Sequence, residues 1–397
     1  MQRVWFYSWG AARHTNGSKK TMKKLIINIL RSLHLFYLVD YLRKIRFFYL
    51  RKHFPYLNII LDSTRVSKRN VPEIESSLFN RILASVQSEI GYEASGQWKD
   101  IFKTYQADAV REIRKGNKSQ LLQMIADPLS NNLMYGFDNL ASVLQSKFRI
   151  ETRNEANTAA DHFLALGEYT LTTNYFSPEG LVSPVKKKVI IKHIIQEIVE
   201  AKFERNFIFP NPYKNEIGLD TKFGVASIRV PAAIHQALRA RELGLKICEI
   251  GPGLGRTAYF SKLLGAKQYT LVDLPIPSLC QAYFLGSSLP NENFTFNHEN
   301  LNELDGFIFR QPEKFIQECD QYDLILNVDS LTEMDIDVAR AYLKNFVGKT
   351  NQFLSINHEG NEFSVRELTA EIPEYRLISR NRSWIRQGYV EELYQIN

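Results

Sequence analysis

The feature that most constrains the fold of this chain is a glycine-rich turn between two apolar runs, the second of which ends in an acid. Apolar runs of this length predict buried strands, and closely spaced glycines allow a sharp turn and a close approach to a ligand. In order, the segment comprises the strand Ile247–Ile250, the glycines Gly251, Gly253 and Gly255, the helix Arg256–Leu264, the strand Tyr269–Val272 and Asp273. Strand, glycine loop, helix, strand and acid are typical of the nucleotide-binding half of a doubly wound sheet.

The spacing of the glycines indicates which nucleotide is bound. A dinucleotide fingerprint needs Gly-x-Gly-x-x-Gly, whereas Arg256 stands here in place of the third glycine. Glu249 precedes the loop and favours a cationic ligand over a phosphate. S-adenosylmethionine has no phosphate and carries an ammonium and a sulfonium, and Asp273 could accept hydrogen bonds from both of its ribose hydroxyls. The alternative is a glycine-rich turn that binds nothing.

The C-terminal half of the chain continues as alternating strands and helices. A helix is predicted before the loop at Val230–Leu243, and later helices at Ser278–Leu289 and Ile336–Val347. The further predicted strands are Phe294–Asn297, Tyr322–Val328, Phe353–Ile356, Tyr375–Ser379 and Gly388–Tyr394. This order predicts an α/β fold: a Rossmann-like class I methyltransferase sheet of seven strands, the last one antiparallel, preceded by a mostly α-helical N-terminal region.

The N-terminal half has the three- and four-residue apolar spacing of helices. The predicted helices are Val71–Ile90, Trp98–Lys115, Ser119–Ile125, Leu133–Lys147, Ala156–Glu168 and Val189–Glu200. Two prolines in Phe209–Tyr213 predict a linker. The expected domains are therefore a basic, aromatic-rich helical segment at 1–54, a helical domain at 55–205 and an S-adenosylmethionine-binding domain at 206–397.

The positive charge of the chain is concentrated near its beginning. Residues 1–54 hold twelve Lys or Arg and one acid, Asp40, so the remainder carries a net −4 although the whole chain carries +7. A basic helix could lie on an anionic membrane face, or it could dock on the protein or on a second subunit; both readings stay open. Arg31 and Asp40 argue against a spanning helix. No nucleic-acid-binding module accompanies the charge, and the three isolated cysteines favour a cytoplasmic protein.

Residues expected at the carboxyl ends of the strands are the candidates for chemistry. Asn300 and Asn327 are predicted to join Glu249, the glycines and Asp273 around the cofactor. His358 could take a proton from an acceptor hydroxyl, with Asp329 or Glu359 orienting its ring. An ordinary hydrogen bond from His358 to a neighbouring loop is the alternative. Asp329, Glu333 and Glu359 could instead bind a divalent cation, although we favour a reaction without a metal.

A mixture of arginines and aromatic residues near the C-terminus suggests where an acceptor binds. Aromatic faces stack on sugars and arginine forks bind phosphates. The predicted acceptor-binding residues are Arg382, Trp384 and Arg386, together with Tyr213 and Glu333. A basic strand edge that resists pairing is the alternative.

The last half of the chain, from Asn211 onward, resembles the bacterial sugar O-methyltransferase family. The matching segments are Glu249-Ile-Gly-Pro-Gly-Leu-Gly-Arg-Thr-Ala-Tyr, Tyr269-Thr-Leu-Val-Asp-Leu-Pro, Gln281-Ala-Tyr-Phe-Leu, Leu326-Asn-Val-Asp-Ser-Leu-Thr-Glu-Met, Phe353-Leu-Ser-Ile-Asn-His-Glu and Arg386-Gln-Gly-Tyr-Val-Glu-Glu. The resemblance implies S-adenosylmethionine as the methyl donor. It also implies a sugar, nucleotide-sugar or lipid-linked glycan as the acceptor, in surface polysaccharide or glycolipid biosynthesis.

Other functions remain as alternatives to a methyltransferase. One is a non-catalytic scaffold that keeps the fold, and another is a membrane-surface adaptor acting through residues 1–54. A dinucleotide-dependent oxidoreductase is disfavoured by Arg256. A homo-oligomer is compatible with the sequence.

Overall fold

A computed structural model describes residues 58–60, 64–66, 68–91, 96–128, 131–138, 149–172, 188–213, 216–300 and 305–397. The chain forms two compact units, one of residues 1–58 and 181–189 and the other of residues 59–180 and 190–397. The predictions for residues 1–54, and for the predicted helix beyond residue 138, lie outside the described residues. The glycine-rich loop Gly251–Gly255 and the strand ends around it belong entirely to the second unit.

Helices make up most of the described N-terminal half and alternate with strands in the C-terminal half. In chain order they are α1 (Ser76–Glu89), α2 (Gln97–Thr104), α3 (Ala107–Lys115), α4 (Lys118–Ala126), α5 (Arg149–Tyr169), α6 (Ile191–Lys202), α7 (Val230–Leu243), α8 (Arg256–Leu263), α9 (Pro275–Ser288), α10 (Pro312–Gln317), α11 (Ile336–Phe346) and α12 (Val365–Thr369). No helix within the described residues is long and apolar enough to cross a membrane.

Most of the strands lie after residue 240. In chain order they are β1 (Asn58–Ile60), β2 (Thr64–Val66), β3 (Lys188–Ile190), β4 (Ile217–Thr221), β5 (Gly224–Ser227), β6 (Lys246–Ile250), β7 (Gln268–Val272), β8 (Phe294–Thr295), β9 (Gly306–Arg310), β10 (Leu324–Val328), β11 (Gln352–His358), β12 (Tyr375–Arg382) and β13 (Tyr389–Ile396).

Eight of these strands form the central sheet, in the order β12-β13-β11-β10-β6-β7-β9-β8. Neighbouring strands from β11 to β8 are parallel, and β13 runs antiparallel to both β11 and β12. This is the predicted class I Rossmann-like sheet with its last strand antiparallel, but it has eight strands where seven were predicted, because both β8 and β9 join its edge. The strand order reverses between β6 and β10, and ligands bind beside such a reversal in open α/β sheets.

The predicted third strand was wrong in its position. Phe294–Asn297 supplies only the two-residue edge strand β8, whereas Gly306–Arg310 pairs with β7 along its whole length. All five residues of β9 are buried, as a strand covered on both faces requires. Gly306 adopts a φ of 110° where a Cβ would press on the backbone of Asn293, so glycine is needed at the start of this strand.

The helical region also differs from its prediction in detail. The segment expected to form one helix over Trp98–Lys115 is divided into α2 and α3, because the backbone N–H groups of Tyr105 and Gln106 both bond to Ile101 O and end the first helix. The buried amide of Gln106 then donates a 2.9 Å hydrogen bond to Leu133 O. This division is set by a tertiary contact that local periodicity does not record.

A small antiparallel sheet, in the order β2-β4-β5, was not predicted from the sequence. The linker Phe209–Tyr213 has no regular secondary structure, as predicted, and Phe209 N bonds to Phe223 O beside this sheet. Asn211 fixes the linker, since its Nδ2 donates to Val225 O at 3.1 Å and to Glu216 Oε2 at 2.9 Å. The linker is therefore held against the sheet and leads into the glycine-loop region.

Candidate functional site

The glycine loop joins β6 to α8 through three left-handed residues. Gly251, Gly253 and Gly255 have φ values of 68°, 61° and 85°, which L-residues with a Cβ rarely adopt. A Cβ at Gly251 would also clash with the side chain of Ser330. At the start of the loop, Gly251 N donates a 2.9 Å hydrogen bond to Val272 O, and this bond joins the ends of β6 and β7.

Asp273 follows β7 next to this loop, and both of its carboxylate oxygens are held. Oδ1 accepts a 2.8 Å hydrogen bond from Leu274 N, and Oδ2 accepts a 2.7 Å bond from Gln281 Nε2. The same Gln281 nitrogen donates to Gly253 O at 2.8 Å, so Gln281 links the acid to the glycine loop. Burial raises the pKa of Asp273 to about 7, while these two hydrogen bonds act to lower it.

Glu249 is enclosed at the end of β6, with only 2% of its surface exposed. Its Oε2 accepts a 2.7 Å hydrogen bond from the phenol of Tyr269. Burial raises the pKa of Glu249 to about 8; the Tyr269 bond opposes the shift and the charge of Asp273 adds to it. Sequence reasoning missed both Tyr269 and Gln281 as partners of the two acids, although both lie in segments that carried the family resemblance.

Arg256, at the start of α8, anchors the loop to the N-terminal half of the chain. Its guanidinium makes ion pairs with Asp138 at 3.0 Å and Glu216 at 2.6 Å, and all three side chains are buried. Tyr213 donates to the same Asp138 oxygen at 2.5 Å. This cluster explains why the position of a third glycine is occupied by arginine. It also places Tyr213, predicted to bind the acceptor, in a buried structural contact.

A line of polar side chains joins the carboxyl ends of β6, β10 and β11. Asn327 donates to Ile250 O at 3.0 Å, and Ser330 Oγ donates to the same carbonyl at 2.8 Å. Asn357 Nδ2 donates to Asn327 Oδ1 at 2.9 Å. Asn327, predicted to contact the cofactor, is fully buried in this network and fixes the three strand ends relative to one another.

Asp329 lies directly beyond β10, at the reversal of strand order. It adopts a φ of 65°, which is strained for a residue with a Cβ, and such strain often accompanies function. Its Oδ2 accepts hydrogen bonds from Arg386 and from the phenol of Tyr389, both at 2.8 Å. The Arg386 guanidinium also lies 3.6 Å from the centre of the Tyr389 ring. Arg386, predicted to bind the acceptor, thus holds Asp329 in place.

His358 ends β11 beside this carboxylate. Its Nε2 lies 3.8 Å from Asp329 Oδ1, a buried oxygen with no hydrogen-bond partner among the described residues. Gly360 N donates a 3.2 Å bond to Nδ1, which assigns the proton of the neutral ring to Nε2, on the side of Asp329. Nδ1 is therefore the nitrogen that can accept a proton. The structure brings together His358 and Asp329, two of the three predicted catalytic residues.

The third predicted catalytic residue, Glu359, points to another partner. Both of its oxygens accept 2.8 Å hydrogen bonds from Arg380, which also pairs with Glu392. Among the described residues there is no group of three or more His, Cys, Asp or Glu side chains that could hold a metal ion. Of the residues named in the cation alternative, Asp329 pairs with Arg386 and Glu359 pairs with Arg380.

The remaining predicted residues lie at other places. Trp384 is half exposed and donates to Ala165 O of α5 at 2.6 Å. Arg382 is exposed at the end of β12, and Asn300 is exposed beyond β8. Glu333 lies in the turn Leu331–Glu333 that follows Asp329. Its backbone carbonyl packs against Gly96 at the start of α2, where a Cβ on the glycine would lie 3.0 Å from the carbonyl oxygen.

A buried acid that the sequence did not point to lies near the ends of β8 and β9. Glu89, at the end of α1, accepts a 2.9 Å hydrogen bond from Ser85. A cavity of about 10 Å³ beside it is lined by Ser278, Asn297 and Arg310 as well. Burial raises the pKa of Glu89 to about 7, although hydrogen bonds from Ser85, Asn297 and Gln311 oppose the shift. The helical spacing of α1 puts position 89 on the same face as the buried Ile82 and Val86, and this periodicity is the signal that could have identified Glu89.

Comparison with solved structures finds partial likenesses to methyltransferases. A magnesium protoporphyrin IX methyltransferase from Synechocystis with bound SAM is 14% identical over 42% of this chain and 78% of its own, with a TM-score of 0.30. An N-methyltransferase from Bradyrhizobium japonicum in complex with S-adenosyl-L-homocysteine is 13% identical over 42% of this chain and 86% of its own, with a TM-score of 0.31. A ribosomal protein L11 methylase from Lactobacillus delbrueckii is 14% identical over 44% of this chain and 81% of its own, with a TM-score of 0.30.

No protein-family model matches the chain, and neither does any curated protein. The likeness of the three structural neighbours to this chain is too small to carry an argument about its activity. The assignment of the fold rests on the strand order and on the direction of β13.

Proposed function

We propose that this protein transfers a methyl group from S-adenosylmethionine to a sugar hydroxyl. The observation that carries the proposal is the pairing of Asp273, held through Leu274 and Gln281, with a loop of three left-handed glycines at the reversal of strand order. A carboxylate at this place can accept both hydroxyls of a ribose, and the glycine backbone lets a ligand approach closely.

The charges around the loop favour a cationic ligand over a pyrophosphate. Glu249 and Asp273 lie at the ends of β6 and β7, and Arg256 is already paired with the two buried acids Asp138 and Glu216. A pyrophosphate would meet the carboxylate of Asp273 and an arginine whose charge is already offset, whereas an ammonium or sulfonium would meet complementary charge at Asp273 once it ionises near pH 7. Glu249 keeps its proton at that pH and adds no charge of its own. The donor half-site therefore suits S-adenosylmethionine better than a dinucleotide.

The acceptor end of the site contains a base with an orienting carboxylate. Asp329 faces Nε2 of His358 at 3.8 Å and would stabilise the imidazolium, while Nδ1 would take the proton from the acceptor hydroxyl in place of the bond from Gly360. S-adenosylmethionine supplies a methyl group on a positively charged sulfur. As the acceptor oxygen bonds to the methyl carbon and the carbon–sulfur bond breaks, the hydroxyl proton passes to Nδ1 of His358. The products are a methyl ether and S-adenosylhomocysteine.

A sugar acceptor is supported by two features of the sequence and the site. The segments that resemble the sugar O-methyltransferase family include those that carry Asp273, Asp329 and His358. A sugar hydroxyl is a weak acid, so its methylation benefits from a base such as His358. The acceptor class nevertheless rests mainly on the resemblance.

The test is a transfer assay with the full chain. Methyl-labelled S-adenosylmethionine is incubated with nucleotide-sugars and with lipid-linked glycans, and the products are analysed by mass spectrometry. The proposal predicts a methyl ether on a sugar hydroxyl, formed by the wild type and not by His358→Ala. Donor binding without transfer to any sugar would contradict the acceptor assignment, and a folded protein that binds no donor would favour a scaffold.

A further inference from the structure

A cavity of about 560 Å³ lies between the end of α1 and the helices α2 and α3. Cavities of roughly 300–1,000 Å³ are typical of small-molecule sites. None of its lining residues belongs to the donor or acceptor site described above. The lining includes the apolar side chains Ile90, Phe102 and Val110 and five cations, of which three are Lys99, Lys103 and Arg114.

The three cations are available to a ligand. Lys99, Lys103 and Arg114 are exposed and form no ion pair with any residue that the structure describes. Two further cations of the lining differ in this respect, since Arg111 pairs with Asp108 at 2.7 Å and Lys115 pairs with Glu112 at 3.3 Å. Unpaired cations gathered at one cavity repel each other, and an anionic ligand would relieve that repulsion.

The apolar side chains at the same cavity restrict the kind of anion. Phe102 and Val110 are each only partly buried, so the cavity exposes apolar surface that water solvates poorly. An inorganic anion would satisfy the cations and leave this surface in water. A ligand that carries a phosphate on an apolar chain would satisfy both, because Lys and Arg bind phosphate oxygens through charged hydrogen bonds.

We infer that the cavity between α1, α2 and α3 binds a lipid phosphate, with its apolar chain against Phe102 and Val110 and its phosphate at Lys99, Lys103 and Arg114. A discrete cavity favours a single amphiphile over a flat membrane face. Gly96, at the start of α2, packs against the carbonyl of Glu333, so this helix also borders the turn that follows Asp329. A lipid-linked acceptor could therefore be held by its lipid here; that extension rests on the proposed function, whereas the binding of a lipid phosphate does not.

Three ligands separate the contributions of the two lining groups in calorimetric titrations of the full chain. Octyl phosphate has both the chain and the phosphate, octyl glucoside has only the chain, and inorganic phosphate has only the anion. The inference predicts that octyl phosphate binds at least roughly tenfold more tightly than either of the others. Equal affinity for inorganic phosphate, equal affinity for octyl glucoside, or tighter binding of an acidic peptide such as hexaglutamate would overturn it.

Two variants test the location of the ligand. The triple change Lys99→Ala, Lys103→Ala and Arg114→Ala should weaken octyl phosphate binding roughly tenfold or more. The charge-matched control is Lys344→Ala, Arg366→Ala and Arg376→Ala, three exposed cations of the methyltransferase sheet region, and it should bind as the wild type does. Equal effects of the two triple variants would place the phosphate elsewhere.

The second variant fills the cavity without removing a charge. Gly91 lines the cavity, has no heavy atom of a described residue within 4 Å of its Cβ position and is not left-handed, so Gly91→Leu adds volume without backbone strain. It should weaken octyl phosphate binding and leave S-adenosylmethionine binding unchanged. Unaltered octyl phosphate affinity in a folded Gly91→Leu protein, judged by its circular dichroism spectrum, would contradict the proposed place of the chain.

Discussion

Gln281 donates a 2.7 Å hydrogen bond to Oδ2 of Asp273, although the two residues belong to different elements of the fold. The same nitrogen donates to Gly253 O at 2.8 Å, so one amide fixes the acid relative to the glycine loop. Because the bond stabilises the ionised carboxylate, Gln281 tunes the group that is proposed to hold the ribose of the donor.

Replacing Gln281 should therefore change the pH dependence of donor binding. The pKa of Asp273 is about 7, and Gln281→Leu should raise it, so that a higher pH is needed to ionise the carboxylate. Near neutral pH the donor affinity should fall by roughly 2–10-fold, and the midpoint of its rise with pH should move upward. Calorimetric titrations between about pH 6 and pH 9 measure both changes. Gln123→Leu, an exposed change on α4, serves as the control; an unmoved midpoint in Gln281→Leu would remove the tuning role.

His358 should affect turnover and not donor binding. If its Nδ1 accepts the proton of the acceptor hydroxyl, His358→Ala should lower kcat by roughly 10²–10⁴-fold, with the donor Kd unchanged. His298→Ala is the matched control, since His298 is an exposed histidine that lies outside the proposed base position. Turnover close to that of the wild type in His358→Ala would exclude the base.

Removal of the buried arginine beside the loop should destabilise the fold. Arg256→Met would leave Asp138 and Glu216 buried without their cation, and breaking such a pair costs about 3–5 kcal/mol. Urea unfolding measures this loss of free energy. Arg241→Met, an exposed change on α7, should alter stability little. Equal stabilities of the two variants would show that the cluster is not a structural anchor.

The buried acid Glu249 should make stability fall as pH rises. Its pKa is raised from 4.5 to about 8 in the folded protein, so between these values the folded chain holds a proton that the unfolded chain has released. Each such group lowers the free energy of unfolding by about 1.4 kcal/mol per pH unit in this range. Glu249→Gln removes the group that titrates and keeps an acceptor for Tyr269.

The comparison is made by urea unfolding from about pH 5 to pH 8. The difference in unfolding free energy between Glu249→Gln and the wild type should grow as the pH increases. Glu313→Gln, an exposed change on α10, should show no such trend. A constant difference between Glu249→Gln and the wild type would mean that Glu249 is ionised throughout.

Local sequence signals predicted the parts of the fold that depend on local chemistry. The apolar runs before and after Gly251–Gly255 gave β6 and β7, and α7 begins and ends at the predicted residues Val230 and Leu243. The third strand was misplaced because the runs at Phe294 and at Phe307 are similarly apolar. Only the pairing of Gly306–Arg310 with β7 decides between them.

The candidate site was predictable where strand ends alone define it, as for His358 and Asp329. The hydrogen-bond and ion-pair partners of these residues could not be predicted, because the contacts join residues that are distant in sequence. Tyr389 on β13 and Arg386 in the loop before β13 both donate hydrogen bonds to Asp329. Arg380 forms an ion pair with Glu359. A pattern of residue types shows neither which carboxylate an arginine pairs with nor which acids become buried.

The donor site is the central claim, and calorimetry tests it most directly. S-adenosylmethionine and S-adenosylhomocysteine are titrated into the full chain and into Asp273→Ala, which should lose the hydrogen bonds to the ribose. The account predicts micromolar binding of both ligands to the wild type and binding weakened by at least roughly tenfold in Asp273→Ala. Absence of binding to the folded wild-type protein, or equal affinity in Asp273→Ala, would contradict it.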